Sequence, residues 1–93
     1  MKIELTVINK SGLHAKPASL IVETASRFKN TKINIIKNSS TINAKSILGI
    51  LSLEANQGTS LVFEANGREE NEALQALKNL FDLHFGELPG GKP

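Results

Sequence analysis

Cysteine, tryptophan and tyrosine are all absent from this chain, and methionine occurs once. Without thiols there is no disulfide framework, no thiolate nucleophile and no cysteine metal site. Two histidines unsupported by cysteine are too few for a structural zinc site. Glu69, Glu70 and Glu72 lack the spacing of an oxygen-ligand loop and read as a solvated helical turn. No metal and no cofactor are expected. Phenylalanine supplies every aromatic ring, and only Phe28 falls in the basic half of the chain, so a stacking surface for single-stranded nucleic acid is disfavoured. No apolar run approaches the length that crosses a bilayer. Met1-Lys2-Ile3-Glu4 leads into alternation rather than into the apolar core of a signal peptide. The expectation is a cytoplasmic, soluble domain with no membrane insertion, in which the sequons at Asn9 and Asn38 are chance matches.

What is present fits one domain. Ninety-three residues suffice for one hydrophobic core and not for two. Residues 1–86 read as that domain and residues 87–93, which contain Leu88-Pro89-Gly90-Gly91-Lys92-Pro93, as a flexible tail. The formal net charge is only +2, yet its distribution is lopsided. Residues 1–53 carry eight Lys/Arg against two Glu, a net of +6; residues 54–93 carry three Lys/Arg against seven Asp/Glu, a net of −4. Such polarity steers an acidic partner or an anion to the amino-terminal half. Accidental segregation of charge in a small domain is the alternative.

Periodicity places the elements. Ile3, Leu5 and Val7 alternate with polar residues as a strand buried on one face. Asn9-Lys10-Ser11-Gly12 breaks it. From Ala15 to about Phe28 a helical stripe runs through Ala18, Leu20, Ile21, Ala25 and Phe28, with Pro17 in the first turn, where a missing N–H is no loss. Ile33, Ile35 and Ile36 form a β-branched strand, Lys37-Asn38-Ser39-Ser40 a turn, and Thr41-Ile42-Asn43 a short strand. Ser46 caps a short helix over Ile47–Leu53. Leu61, Phe63 and Ala65 mark a fourth strand, stopped by Asn66-Gly67. The last helix starts around Glu69–Asn71, carries Ala73, Leu74, Leu77, Leu80 and Phe81 on its buried stripe, and runs to a stop at Gly86 and Pro89. His84 is expected at its end, a structural cation that complements the helix dipole. The order β-α-β-β-α-β-α gives an α+β open-faced sandwich with its helices on one face of the sheet; the strand order is not written in the residues.

The chemistry concentrates at Gly12-Leu13-His14-Ala15-Lys16-Pro17-Ala18. A neutral imidazole is a nucleophile near pH 7, and this one stands where a helix begins. A helix start presents unpaired N–H groups and about half a positive charge to an anion. Lys16 adds a full cation. That combination suits an imidazole that carries a phosphoryl group for a short time, with His14 as acceptor and the backbone N–H groups of Ala15 and Lys16 behind it.

That heptad, with Asn43-Ala44-Lys45-Ser46-Ile47-Leu48-Gly49-Ile50-Leu51-Ser52-Leu53 further on, closely resembles the HPr family, the histidine-containing phosphocarriers of the bacterial sugar phosphotransferase system. The likeness covers residues 2 to about 85 and includes the order of elements. It implies a four-stranded antiparallel sheet with three helices on one face. It also implies a relay: enzyme I, charged by phosphoenolpyruvate, phosphorylates the histidine on Nδ1, and the group passes to sugar-specific enzyme IIA domains. Ser46 matches a serine that an ATP-dependent HPr kinase/phosphorylase modifies in some members, with a transcriptional regulator as a further partner. The resemblance and the apolar excess of the short helix make Pro17, Leu20, Lys45, Ile47, Leu48 and Leu51 the expected docking surface, with burial of the leucines as the alternative. Family members act as monomers, and a monomer is expected here. The carrier is a substrate of enzymes rather than an enzyme.

Three positions depart from the pattern. Lys16 stands where arginine is usual, and lysine cannot hold a phosphate bidentately. Asn38-Ser39-Ser40-Thr41 replaces a turn that commonly holds Asn-Gly and a lysine, which removes an easy positive-φ residue. Glu54 replaces a small residue. Two other functions stay open on the sequence: a regulatory module that uses Ser46 with little relay activity, and a small basic nucleic-acid-binding domain.

Overall fold

The computed structural model describes residues 1–86. The expected tail at 87–93 lies outside the described residues. Seven elements follow the expected order: β1 (Lys2–Thr6), α1 (Ala15–Ser26), β2 (Thr31–Lys37), β3 (Ser40–Asn43), α2 (Ile47–Ser52), β4 (Ser60–Gly67) and α3 (Glu70–Asp82), with a 3-10 turn at His84–Gly86. The sheet order is β1-β4-β2-β3, antiparallel throughout. β4 thus inserts between the first two strands, pairing Phe63 with Ile3 on one side and with Ile35 on the other.

Period-two alternation decides which side chains go inward. Leu5, Ile33, Ile35, Leu61, Phe63 and Ala65 are buried on one face, while their sequence neighbours Glu4, Lys32 and Ser60 stand exposed on the other. The helices cover the buried face. α1 contributes Ala18, Ile21 and Ala25, and α3 contributes Ala73, Leu74, Leu77 and Phe81. Small residues on α1 let the two helices approach each other and the sheet. The Phe63 ring meets Phe81 edge-on at 5.4 Å, a favoured aromatic geometry that ties α3 to the central strand β4.

Several boundaries differ from the sequence expectation. Val7 lies beyond β1, yet it is fully buried and still pairs, its N–H donating to Thr59 O (2.8 Å) and its carbonyl accepting from Gly58 N–H (2.7 Å). α1 stops at Ser26, so Phe28 is only half-buried, as is Leu20; Pro17 and Thr24 are buried in their place. α3 stops at Asp82 instead of continuing to Gly86. His84 is therefore not in the helix: it follows the C-cap Leu83 and begins a left-handed turn, with φ 53° at His84, 54° at Phe85 and 80° at Gly86. Left-handed backbone costs an L-residue about 1–2 kcal/mol. Burial of the Phe85 ring against Phe81, at 4.8 Å, offsets that cost. The β2–β3 turn also needs no glycine, because Asn38 takes the positive φ (55°) itself. Asparagine tolerates that conformation better than most residues.

Candidate functional site

The loop between β1 and α1 is tied down from both sides. Asn9 Nδ2 donates to Gly12 O (2.8 Å), and Gly12 N–H returns a bond to Asn9 O (3.1 Å). Leu13 is buried and donates its N–H to Ala55 O (2.9 Å), which fastens the loop to the segment after α2. Gly12 makes that approach possible: its φ is +68°, and a Cβ there would stand 2.7 Å from Ala55 O. Ala55 was not legible as a site residue, since the contact joins positions far apart in the chain.

These bonds deliver His14, exposed, to the N-cap position of α1. Its backbone is extended (φ −83°, ψ −169°), and its carbonyl accepts the Ala18 N–H at 3.0 Å. Its imidazole does not cap the helix. The N–H groups of Ala15 and Lys16 precede Ala18 N–H, the first intrahelical donor, and Pro17 has none to offer. No acidic side chain lies in the first turn of α1 to neutralise its positive end. Lys16 is exposed there, and buried Pro17 anchors the helix start in the core. A histidine, two backbone N–H donors and a lysine thus occupy the start of one exposed helix terminus. The arrangement can receive a tetrahedral dianion on the ring and stabilise it by fixed dipoles and charge.

The second motif lies at the start of α2. Ser46 is half-buried, and its Oγ accepts the Gly49 N–H at 3.1 Å, the cap expected of it. α2 has six residues, a length of about 9 Å, and its last turn leads directly to Ala55. The apolar residues of α2 therefore lie beside the His14 loop. Leu48 is 77% exposed and Ile47 38% exposed, large apolar surface left open to water. Leu20 and Leu51 are half-buried against the core. The structure places the two other expected docking residues more deeply. Pro17 is a buried core residue and offers little contact surface. Lys45 turns its ammonium inward to Phe28 O (2.9 Å) and Thr31 O (3.1 Å), two carbonyls of the α1–β2 junction. Glu54, next after α2, holds a positive φ of 50°, which explains why a small residue suits the position. Among the described residues no group of His, Asp or Glu is arranged to hold a metal ion, and no helix is long and apolar enough to cross a membrane.

Comparison with known proteins agrees with this geometry. Residues 1–82 match the family model described as the PTS HPr component phosphorylation site. Phosphocarrier protein HPr of Neisseria meningitidis is 41% identical over 87 residues, covering 94% of this chain and 97% of that protein. Its counterpart in Treponema pallidum is 42% identical over 81 residues, covering 87% and 91%. The crystal structure of HPr-C-His from Thermoanaerobacter tengcongensis superimposes with a TM-score of 0.90 at 43% identity, covering 95% of this chain and 98% of that one.

Proposed function

The chain belongs to the HPr family of phosphocarrier proteins of the phosphotransferase system, and from that premise we propose that His14 takes a phosphoryl group from phosphorylated enzyme I and hands it to enzyme IIA domains. The observation that carries the reading is the exposed His14 at the N-cap of α1, with two backbone donors and Lys16 around it. The P–N bond to the donor imidazole breaks as the P–N bond to His14 forms, in line, and each ring keeps the proton on its remote nitrogen. No general base is needed. The protein's contribution is positioning and charge stabilisation. Ala15 and Lys16 hold the arriving oxygens by backbone N–H, and Lys16 adds its ammonium. A carrier of this kind does not turn over substrate on its own, and a cytoplasmic location suits its partners.

Docking falls to the exposed surface of α2, Ile47 and Leu48, with Leu20 and Leu51 at its edge; enzyme I and the IIA domains both need access to His14 beside it. Ser46 is the second reading's residue. Phosphate there places about −1.5 to −2 charges beside the docking surface, where it repels an acidic partner. Incubation with phosphoenolpyruvate and enzyme I should give an acid-labile phosphate on the wild type and none on His14→Ala. Labelling that survives His14→Ala would overturn the assignment. Incubation with an HPr kinase and ATP, followed by mass mapping, tests Ser46 separately; an unmodified Ser46 removes the regulatory reading and leaves the relay intact.

A further inference from the structure

The two carbonyls that Lys45 holds belong to the α1–β2 junction, Phe28 in the connection and Thr31 at the start of β2. α1 has no basic side chain in its own last turn. The junction that follows the helix carrying His14 is therefore held by a cation from another segment. That cation belongs to the residue directly before Ser46.

Three successive N–H groups fix the backbone around it. Ala44 is fully buried and donates its N–H to Ile33 O (2.9 Å). Lys45 N–H donates to Asn43 Oδ1 (2.8 Å), and Ser46 N–H to Asn43 O (3.0 Å). Moving this turn to relieve charge added at Ser46 Oγ would break these bonds. The compliant group is the flexible lysine side chain, whose ammonium then divides between a new anion and the two carbonyls.

We propose that Lys45 couples Ser46 to the α1–β2 junction: negative charge on Ser46 draws the ammonium off Phe28 and Thr31 and loosens that junction. The coupling rests on the reading of Ser46 as a place where charge is added. Lys45 is a positioning residue in this scheme and touches no reacting atom.

Amide hydrogen exchange at Phe28 and Thr31 reads the junction directly, since their N–H groups donate to Ala25 O (3.1 Å) and Phe28 O (3.2 Å). Ser46→Asp supplies the charge without a kinase and retains a capping carboxylate for α2. It should speed exchange at both amides about fivefold, and Lys45→Met about tenfold. Adding Ser46→Asp to Lys45→Met should give no further increase, while Lys45→Arg should restore slow exchange. Equal acceleration by Ser46→Asp with and without Lys45, or none in the wild-type background, overturns the proposal. If Lys45→Met fails to fold, the ammonium resonance of Lys45 decides: it should be protected in the wild type and lose protection in Ser46→Asp, and an unchanged resonance refutes the coupling. A chain whose Ser46 no kinase modifies still reports the coupling through these variants, so the two readings fail independently.

Discussion

Replacing Gly12 by alanine tests how the fold sets the histidine in place. Two costs meet at this position. The backbone sits at φ +68°, where an L-residue pays about 1–2 kcal/mol. The new Cβ would also stand 2.7 Å from Ala55 O and 3.0 Å from Asn56 Cα, both backbone atoms that cannot swing aside. The loop must then retreat, and the Leu13 N–H bond to Ala55 O, now 2.9 Å, is lost with about 0.5–1.5 kcal/mol. The combined loss is roughly 2–4 kcal/mol, a large share of a small domain's stability. Gly58 supplies the control. It also has a positive φ, +93°, but nothing lies within 4 Å of its would-be Cβ. Gly58→Ala should therefore cost only the conformational part, roughly 1–2 kcal/mol. Urea denaturation of both variants, compared at constant slope, isolates the contact. If Gly12→Ala falls within about 0.5 kcal/mol of Gly58→Ala, the Ala55 contact does not hold the loop and the reasoning fails.

Three further outcomes follow from named contacts. Lys16→Arg should lengthen phosphohistidine lifetime or raise the rate of transfer from enzyme I about fivefold, because a guanidinium can hold two phosphate oxygens at once; no gain in either quantity refutes the role given to the cation. Leu48→Asp should weaken enzyme I binding at least about tenfold by titration calorimetry while changing stability by under about 0.5 kcal/mol, as its 77% exposure requires; equal damage to both would make Leu48 a core residue. Glu54→Gly should stabilise the fold by about 0.5–1 kcal/mol in thermal unfolding, since glycine relieves the positive φ after α2; a destabilised variant would show that Glu54 makes a compensating contact.

The site was legible in the sequence because its parts are contiguous. A glycine turn, a histidine, a helix-compatible lysine and a first-turn proline occupy one heptad, and a helix start is a local event. The Ser46 cap was legible for the same reason. The strand order was not, because alternation reports that a strand has an inward face and says nothing about its neighbour. The inward reach of Lys45 was not legible for a related reason. Its long side chain reaches carbonyls 14 and 17 residues away, and nothing around Lys45 itself marks that destination. Lys37 behaves alike, donating to Leu53 O (2.7 Å) at the end of α2. The end of α3 was misplaced because helix propensity carries through Leu83 and His84, while burial of Phe85 on Phe81 forces a left-handed turn there. Tertiary packing overrode the local preference.

The account depends most on where the phosphate lies relative to α1. Amide proton and nitrogen shifts recorded before and after phosphorylation by enzyme I test this residue by residue. Ala15 and Lys16 should show the largest downfield amide shifts, alongside a phosphorus signal from a ring nitrogen of His14. A phosphorylated His14 that leaves those two amides unmoved would contradict it.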